Sequence, residues 1–241
     1  MIAKNRALPF VGLLLIALAG CSSTTTMDEP TIPAPLTEKI PVDVIVRMPE
    51  EFNNFVHEEA ILGRESWTID LGRSNAAFFE QLFGYIFEKV TLISPEDDAR
   101  DFQFDALIEP SIDGFEFSVP TQSQTEAFAV WIRYRLKIFD REGNNASNWT
   151  VSAYGKSQKQ GINSSNALQR AAVLAMRDAA ALIIMQIDKA TQISQLANGG
   201  LAPGARDSLQ ASADTDTDED QDTAEDNFGI FVIGGIDEDR E

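Results

Sequence analysis

The 241-residue chain has one cysteine and one histidine, and no apolar run long enough to cross a bilayer comfortably. With a single cysteine there is no internal disulfide, so the fold has to be held by packing alone. With a single histidine, His57, there is no histidine-based metal cluster and no histidine-dependent nucleophile set. Basic residues are outnumbered 38 to 19, and a net charge of −19 repels phosphate backbones, so nucleic acid is excluded as a partner. There is no glycine-rich phosphate loop, no nucleophile elbow and no internal repeat. Glu96-Asp97-Asp98 follows Pro95 in a polar stretch with no matching second acidic cluster, which reads as solvated surface; His57, beside Glu58 and Glu59, reads the same way. No catalytic constellation and no resident metal or cofactor is expected.

What is present begins at the N-terminus. Lys4 and Arg6 precede an apolar stretch, Ala7 to Ala19, broken by Pro9 and Gly12 and closed by Leu18-Ala19-Gly20-Cys21 on the only cysteine. This resembles a bacterial lipoprotein signal peptide with its lipobox. The resemblance implies diacylglycerol on the Cys21 thiol, cleavage before Cys21 and acylation of the new amino terminus. Each buried methylene is worth about 0.8 kcal/mol, so two or three chains would anchor the protein without a spanning helix. In this class an Asp after the cysteine signals inner-membrane retention, and this chain has Ser22. The resemblance therefore implies an outer-membrane protein, lipid-anchored and facing the periplasm. In such a cell the acceptor patterns at Asn145, Asn148 and Asn163 carry no sugar.

Residues 1–20 are thus a leader. Residues 21–39, rich in Ser, Thr and Pro with no apolar period, are expected to be an extended tether, and 40–195 a single domain large enough to bury one core. Asn198-Gly199-Gly200 and Pro203-Gly204 stop the last helical pattern, and 196–241 is expected to be a disordered acidic tail. Between Arg206 and Glu241 there are 13 acidic and 2 basic residues, so most of the negative charge belongs to the tail. Asp214, Asp216, Asp218, Asp220, Asp222 and Glu225 fall at the ligand spacing of a twelve-residue calcium loop. Glu219 stands where the sharp turn needs glycine, however, and diffuse cation attraction is the better reading. Phe228, Ile230, Phe231, Val232 and Ile233, in the apolar run 228–236, are β-prone and suit strand addition, either to a partner or to the chain's own sheet edge.

Within the domain, Val42, Val44 and Val46 alternate as a short strand, and Trp67 to Leu71 is a second, ended by Gly72. Ser74 is placed to cap a helix reaching about Val90, whose Phe78, Phe79, Leu82, Phe83, Ile86 and Val90 recur at helical spacing. A short β-like run, Val90 to Ile93, follows. Phe104, Ala106 and Ile108 open a third strand region, expected to bend at Pro110. From Ala127 to Phe139 the alternation is strict: Val130, Ile132, Tyr134, Leu136 and Ile138 face one way, Trp131, Arg133, Arg135 and Lys137 the other. A turn at Asp140–Asn145 returns the chain through Trp149, Val151 and Ala153. An Ala-rich helix from about Ser165 to Gln195, with Leu168, Ala171, Ala172, Ala175, Ala179, Leu182 and Ile183 on one side, is expected to pack closely on the sheet. The expectation is an α+β fold, with an antiparallel or mixed sheet of about four to five strands and two helices on one face.

The lipobox, the Phe104–Pro110 and Val130–Asp140 strands, Gly143, Trp149 and the Ala-rich helix together resemble the LPS-assembly lipoprotein family and YajG-type lipoproteins over residues 1 to about 195. The resemblance implies a non-enzymatic accessory component of a cell-envelope complex, with a membrane anchor and an envelope protein partner. The alternative is a lipid- or small-ligand-binding accessory of an envelope transporter. Trp131, Arg133, Arg135 and Lys137, on one strand face, are the candidate partner- or anion-binding residues, set against an ordinary solvated sheet face.

Overall fold

The last two strands of the main sheet are built on the alternation described above. The computed structural model describes residues 21–61, 65–123, 125–158 and 164–199. Strand β1 (Cys21–Thr26) is followed by β2 (Ile40–Arg47), a one-turn helix α1 (Glu50–Asn53), β3 (Val56–Ile61) and β4 (Glu65–Asp70). Next come helix α2 (Gly72–Ile86), β5 (Phe87–Ile93), a 3-10 turn (Ala99–Asp101), β6 (Ala106–Ser118) and a short helix α3 (Pro120–Ser123). The chain continues through β7 (Ala127–Phe139), β8 (Asn145–Gln158), the long helix α4 (Ser164–Thr191) and α5 (Ile193–Ala197). The fold is α+β. A five-stranded mixed sheet runs β5-β2-β6-β7-β8, with β2 parallel to both neighbours and β6, β7 and β8 antiparallel.

A second sheet, ordered β1-β4-β3, was not foreseen. It stacks on the first through Trp67, whose ring lies 6.0 Å from Phe117 and 6.2 Å from Phe128. The expected tether is therefore largely part of the fold. Residues Cys21 to Thr26 pair in parallel with Glu65 to Asp70, Met27 N–H donates to the Asp70 carbonyl at 2.9 Å, and Thr25, Met27 and Ile32 are buried. Gln81 Oε1 then accepts from Ile32 N–H at 2.7 Å, and Arg177 Nε donates to the Thr31 carbonyl at 3.1 Å. Burial of Met27 and Ile32 overrides the hydroxyl-rich composition around them.

Three boundaries also move. Helix α2 starts at Gly72, whose N–H is taken by Asp70 Oδ1 at 3.1 Å, while Ser74 sits buried in the first turn and donates to the Leu71 carbonyl. The helix ends at Ile86, not near Val90, and β5 follows without a linker because β2 offers a parallel template from Ile40↔Phe87 onward. Strand β6 runs straight through Pro110, just past the last β2 pair at Ile108, and its irregularity falls instead between Ile112 and Gly114. The last helix breaks at Gln192, in the left-handed region at φ 53°, which turns Ile193 and Leu196 of α5 back into the core.

The core lies between the main sheet and α2, α4 and the second sheet. Phe78, Phe79, Leu82 and Phe83 are fully buried, each worth roughly 1.5–3 kcal/mol on transfer from water. Tyr134 at the centre of β7 donates its hydroxyl to Asn75 Oδ1 at 2.7 Å and packs edge-on to Phe79, tying the sheet to α2. Complete burial pushes its hydroxyl well above the ordinary tyrosine range, so it remains a donor. The small residues of α4 do pack closely: a Cβ on Gly155 of β8 would come within 2.0 Å of the Ala171 carbonyl oxygen and 2.4 Å of Ala175 N. Gly155→Ala is expected to cost about 3 kcal/mol by overpacking. Gly84→Ala, in the interior of α2 with open space at the Cβ position, is expected to add about 1 kcal/mol. Urea midpoints of the two variants, at unchanged slope, should move in opposite directions.

Candidate functional site

The outer face of the main sheet, turned away from the helices, divides in two. At the β5-β2 side, Ile45, Ile93, Phe104 and Leu107 form a small apolar cluster covered by Ala99 and Phe102, with Phe139 packed alongside. Along β6, β7 and β8 the face is open. Register sets its pattern: Trp131 lies between Glu116 and Tyr154, Arg133 between Gly114 and Ser152, Arg135 between Ser111 and Thr150, Lys137 between Glu109 and Asn148. The sequence placed Trp131, Arg133, Arg135 and Lys137 on one face, and the structure brings them there. It adds Tyr154, which the sequence reading missed because the signal lies in the alternation of β8 outside its inward residues Trp149, Val151 and Ala153.

Trp131 and Tyr154 are 43% and 42% exposed, and their ring centroids lie 5.0 Å apart, so together they form one aromatic platform open to solvent. A shallow hollow of about 160 Å³ beside it is lined by Gly114, Glu116, Trp131, Arg133 and Ser152. Gly114 makes room there, since a Cβ at that position would meet the Arg133 guanidinium at 3.4 Å.

The stripe is not uniformly basic. Asp113, displaced outward at the irregularity in β6, forms a forked ion pair with Arg135, whose Nη1 also donates to Asn148 Oδ1 at 3.1 Å. Hydrogen bonding from Arg135, reinforced by the charges of Arg133 and Lys137, holds the Asp113 carboxyl below its usual range. The same contact raises Arg135 above its ordinary value. Glu109 is taken by Arg47 at 2.6 Å. Among the described residues, Arg133, Lys137 and Lys156 have no ion-pair partner; Arg133 and Lys156 each lie two positions along the strand from the aromatic pair, and Lys137 lies farther along β7.

A larger cleft of about 530 Å³ lies at the other end of β7, lined by Asp43, Arg100, Asp105 and Arg141 with Phe102 and Phe104. Its charges satisfy one another: Arg141 pairs with Asp105, Asp105 Oδ2 accepts from Asp43 N–H at 2.8 Å, and Lys89 reaches Asp43 at 3.2 Å. The Glu96-Asp97-Asp98 trio is hydrogen-bonded locally, not merely solvated. Ser94 binds Glu96 and Asp97, and Arg100 grips Asp98 at 2.6 Å and draws its pKa to about 2. His57 is half-buried against Phe115 and Phe117, at centroid distances of 5.0 and 5.8 Å, with Nε2 3.2 Å from Glu59 Oε2. It is a packed residue, not the open surface histidine expected.

Among the described residues no group of three or more His, Cys, Asp or Glu is placed to hold a metal ion, and no helix is long and apolar enough to cross a membrane. The expected leader (residues 1–20), the calcium-spaced Asp214, Asp216, Asp218, Asp220, Asp222 and Glu225, and the apolar Phe228, Ile230, Phe231, Val232 and Ile233 lie outside the described residues.

No protein-family model matches the chain, and no curated protein matches it at a significant level. Solved structures do. A minor lipoprotein from Acinetobacter baumannii aligns at 12% identity and TM-score 0.32, over 61% of this chain and 92% of its own. Lipoprotein GNA1162 from Neisseria meningitidis aligns at 12% identity and TM-score 0.28, over 61% and 99%. The hypothetical protein CT253 from Chlamydia trachomatis aligns at 13% identity and TM-score 0.33, over 62% and 98%. At such scores the likeness transfers no function.

Because the Asp113 carboxyl is lowered, its pairing with Arg135 contributes fully above the ordinary aspartate value of about 3.9 and is lost as pH falls toward the lowered value. Melting curves of the wild type and Asp113→Asn should therefore differ by a constant amount between about pH 5 and 8, and converge on further acidification.

Proposed function

We propose that this chain is a lipid-anchored, non-enzymatic accessory protein of the outer membrane, which works by docking an envelope protein on the open face of β6, β7 and β8. Acylation at Cys21 supplies the attachment, and the partner presents carboxylates around an apolar group. The carrying observation is the exposed Trp131–Tyr154 pair, flanked by Arg133 and Lys156, on the open face of β6, β7 and β8. Large aromatics beside arginine are the residue types that concentrate binding energy at interfaces, while unpaired cations select acidic partners and speed encounter. The reading of the leader and of Ser22 supports the outer-membrane placement. The absence of a catalytic set in the sequence supports binding over chemistry.

Photocrosslinking from Ser152, replaced by a photoreactive residue in the acylated chain, is the direct test. A single defined envelope protein is expected. Its yield should fall at least tenfold in Trp131→Ala and in Arg133→Glu, the loss of about 1.4 kcal/mol or more that a central contact produces. Lys39→Glu, away from this face, should leave the yield unchanged. Equal yields from all three variants would remove the docking face, and recovery of lipid with no protein would favour the carrier alternative.

A further inference from the structure

We infer that the acylated Cys21 seats the domain directly on the bilayer, with the β6–β7 connection against the headgroups and the Asp105–Arg141 cleft at the far end. This rests on the reading of Cys21 as the lipidated residue.

The first observation is the missing spacer. The ladder of β1 with β4 begins at Cys21↔Glu65 itself and runs unbroken to Thr26↔Asp70, after which Met27 continues it. Thr25 and Met27 are buried along the way. The residue that would carry lipid is therefore already inside a sheet, and no free chain separates anchor from fold.

The second is direction. Moving along the second sheet from its Asp70 end toward Glu65, the contacts with the main sheet advance from Phe115, met by Phe55 and His57, to Phe117, met by His57 and Trp67, and Phe128 of β7, met by Trp67. Cys21 thus points the same way as Ser118, Ala127 and Gln158, the strand ends at one extremity of the main sheet. The connection there exposes Thr121, Gln122, Ser123, Thr125 and Glu126: hydroxyls and amides with a single carboxylate. Such groups hydrogen-bond with headgroups and carry no positive charge of their own, so at this connection the anchor and not charge supplies the attachment.

The third is length. Strand β7 has 13 residues, about 40 Å end to end at roughly 3.3 Å each. Trp131 sits four positions from its near end, which keeps the proposed docking face close to the membrane, and Arg141 lies beyond its far end.

The test uses the acylated full chain in phosphatidylethanolamine–phosphatidylglycerol vesicles containing a headgroup-attached quencher. Cys21 is blocked by lipid, so a fluorophore can be placed at Thr121→Cys or Glu142→Cys, one at each end. Quenching is expected to be at least fivefold stronger at residue 121, and a ten-residue Gly/Ser insert after Cys21 should abolish the difference. Equal quenching at both positions, in protein that floats with vesicles, overturns the seating and leaves the lipid reading intact. If wild type fails to float any better than Cys21→Ser, the lipid reading fails and the seating with it.

Discussion

The fold depends on one close approach, that of α4 to β8 at Gly155. With no side chain there, the helix backbone at Ala171 and Ala175 lies directly on the strand, and the other small residues of α4 follow it onto the sheet. That seating does more than close the core. It brings Asp178 to the outer edge of β8, where Oδ2 accepts from Tyr154 N–H at 3.0 Å, and Arg170 to the Ser157 hydroxyl and the Gln158 carbonyl at 3.1 Å each. A 14-residue edge strand is an invitation to unwanted pairing, and here a helix side chain occupies part of its hydrogen-bonding edge.

Because helices and the second sheet all crowd one side, the other side carries the recognition chemistry. Its electrostatics are local. Asp113 and Glu109 each hold one cation, so that Arg133, Lys137 and Lys156 are left for a partner, while Arg135 is committed to fixing the shape of β6. An arginine in the same stripe can therefore be structural or available depending on a single displaced residue in the neighbouring strand.

The parts legible in the sequence were those where side-chain period and burial agree. Strand β7 was readable because from Val130 to Ile138 each inward position is large and apolar and each outward one polar or amphipathic, and α2 because its phenylalanines repeat at helical spacing. Strands β1 and β3 were not. Cys-Ser-Ser-Thr-Thr-Thr and Val-His-Glu-Glu-Ala-Ile hold little apolar area, and both become strands only because β4 lies between them as a template. The basic stripe was legible as a face, but its pairing with Asp113 was not, since that contact depends on a register shift with no local signature. Tyr154 could have been found by extending the alternation of β8 outward. The cleft around Asp43, Asp105 and Arg141 joins residues remote in the chain, which periodicity cannot connect.

The hydrogen bond from Arg177 to Thr31 spans 146 positions, nearly the length of the folded region. The segment from Cys21 to Ile32 thus leans on β4 and on Gln81 of α2, and also on α4, an element far later in the chain. The Thr31 carbonyl gains its arginine partner only once α4 is in place. Non-local closure of this kind slows folding, and it ties the two ends of the described region to each other.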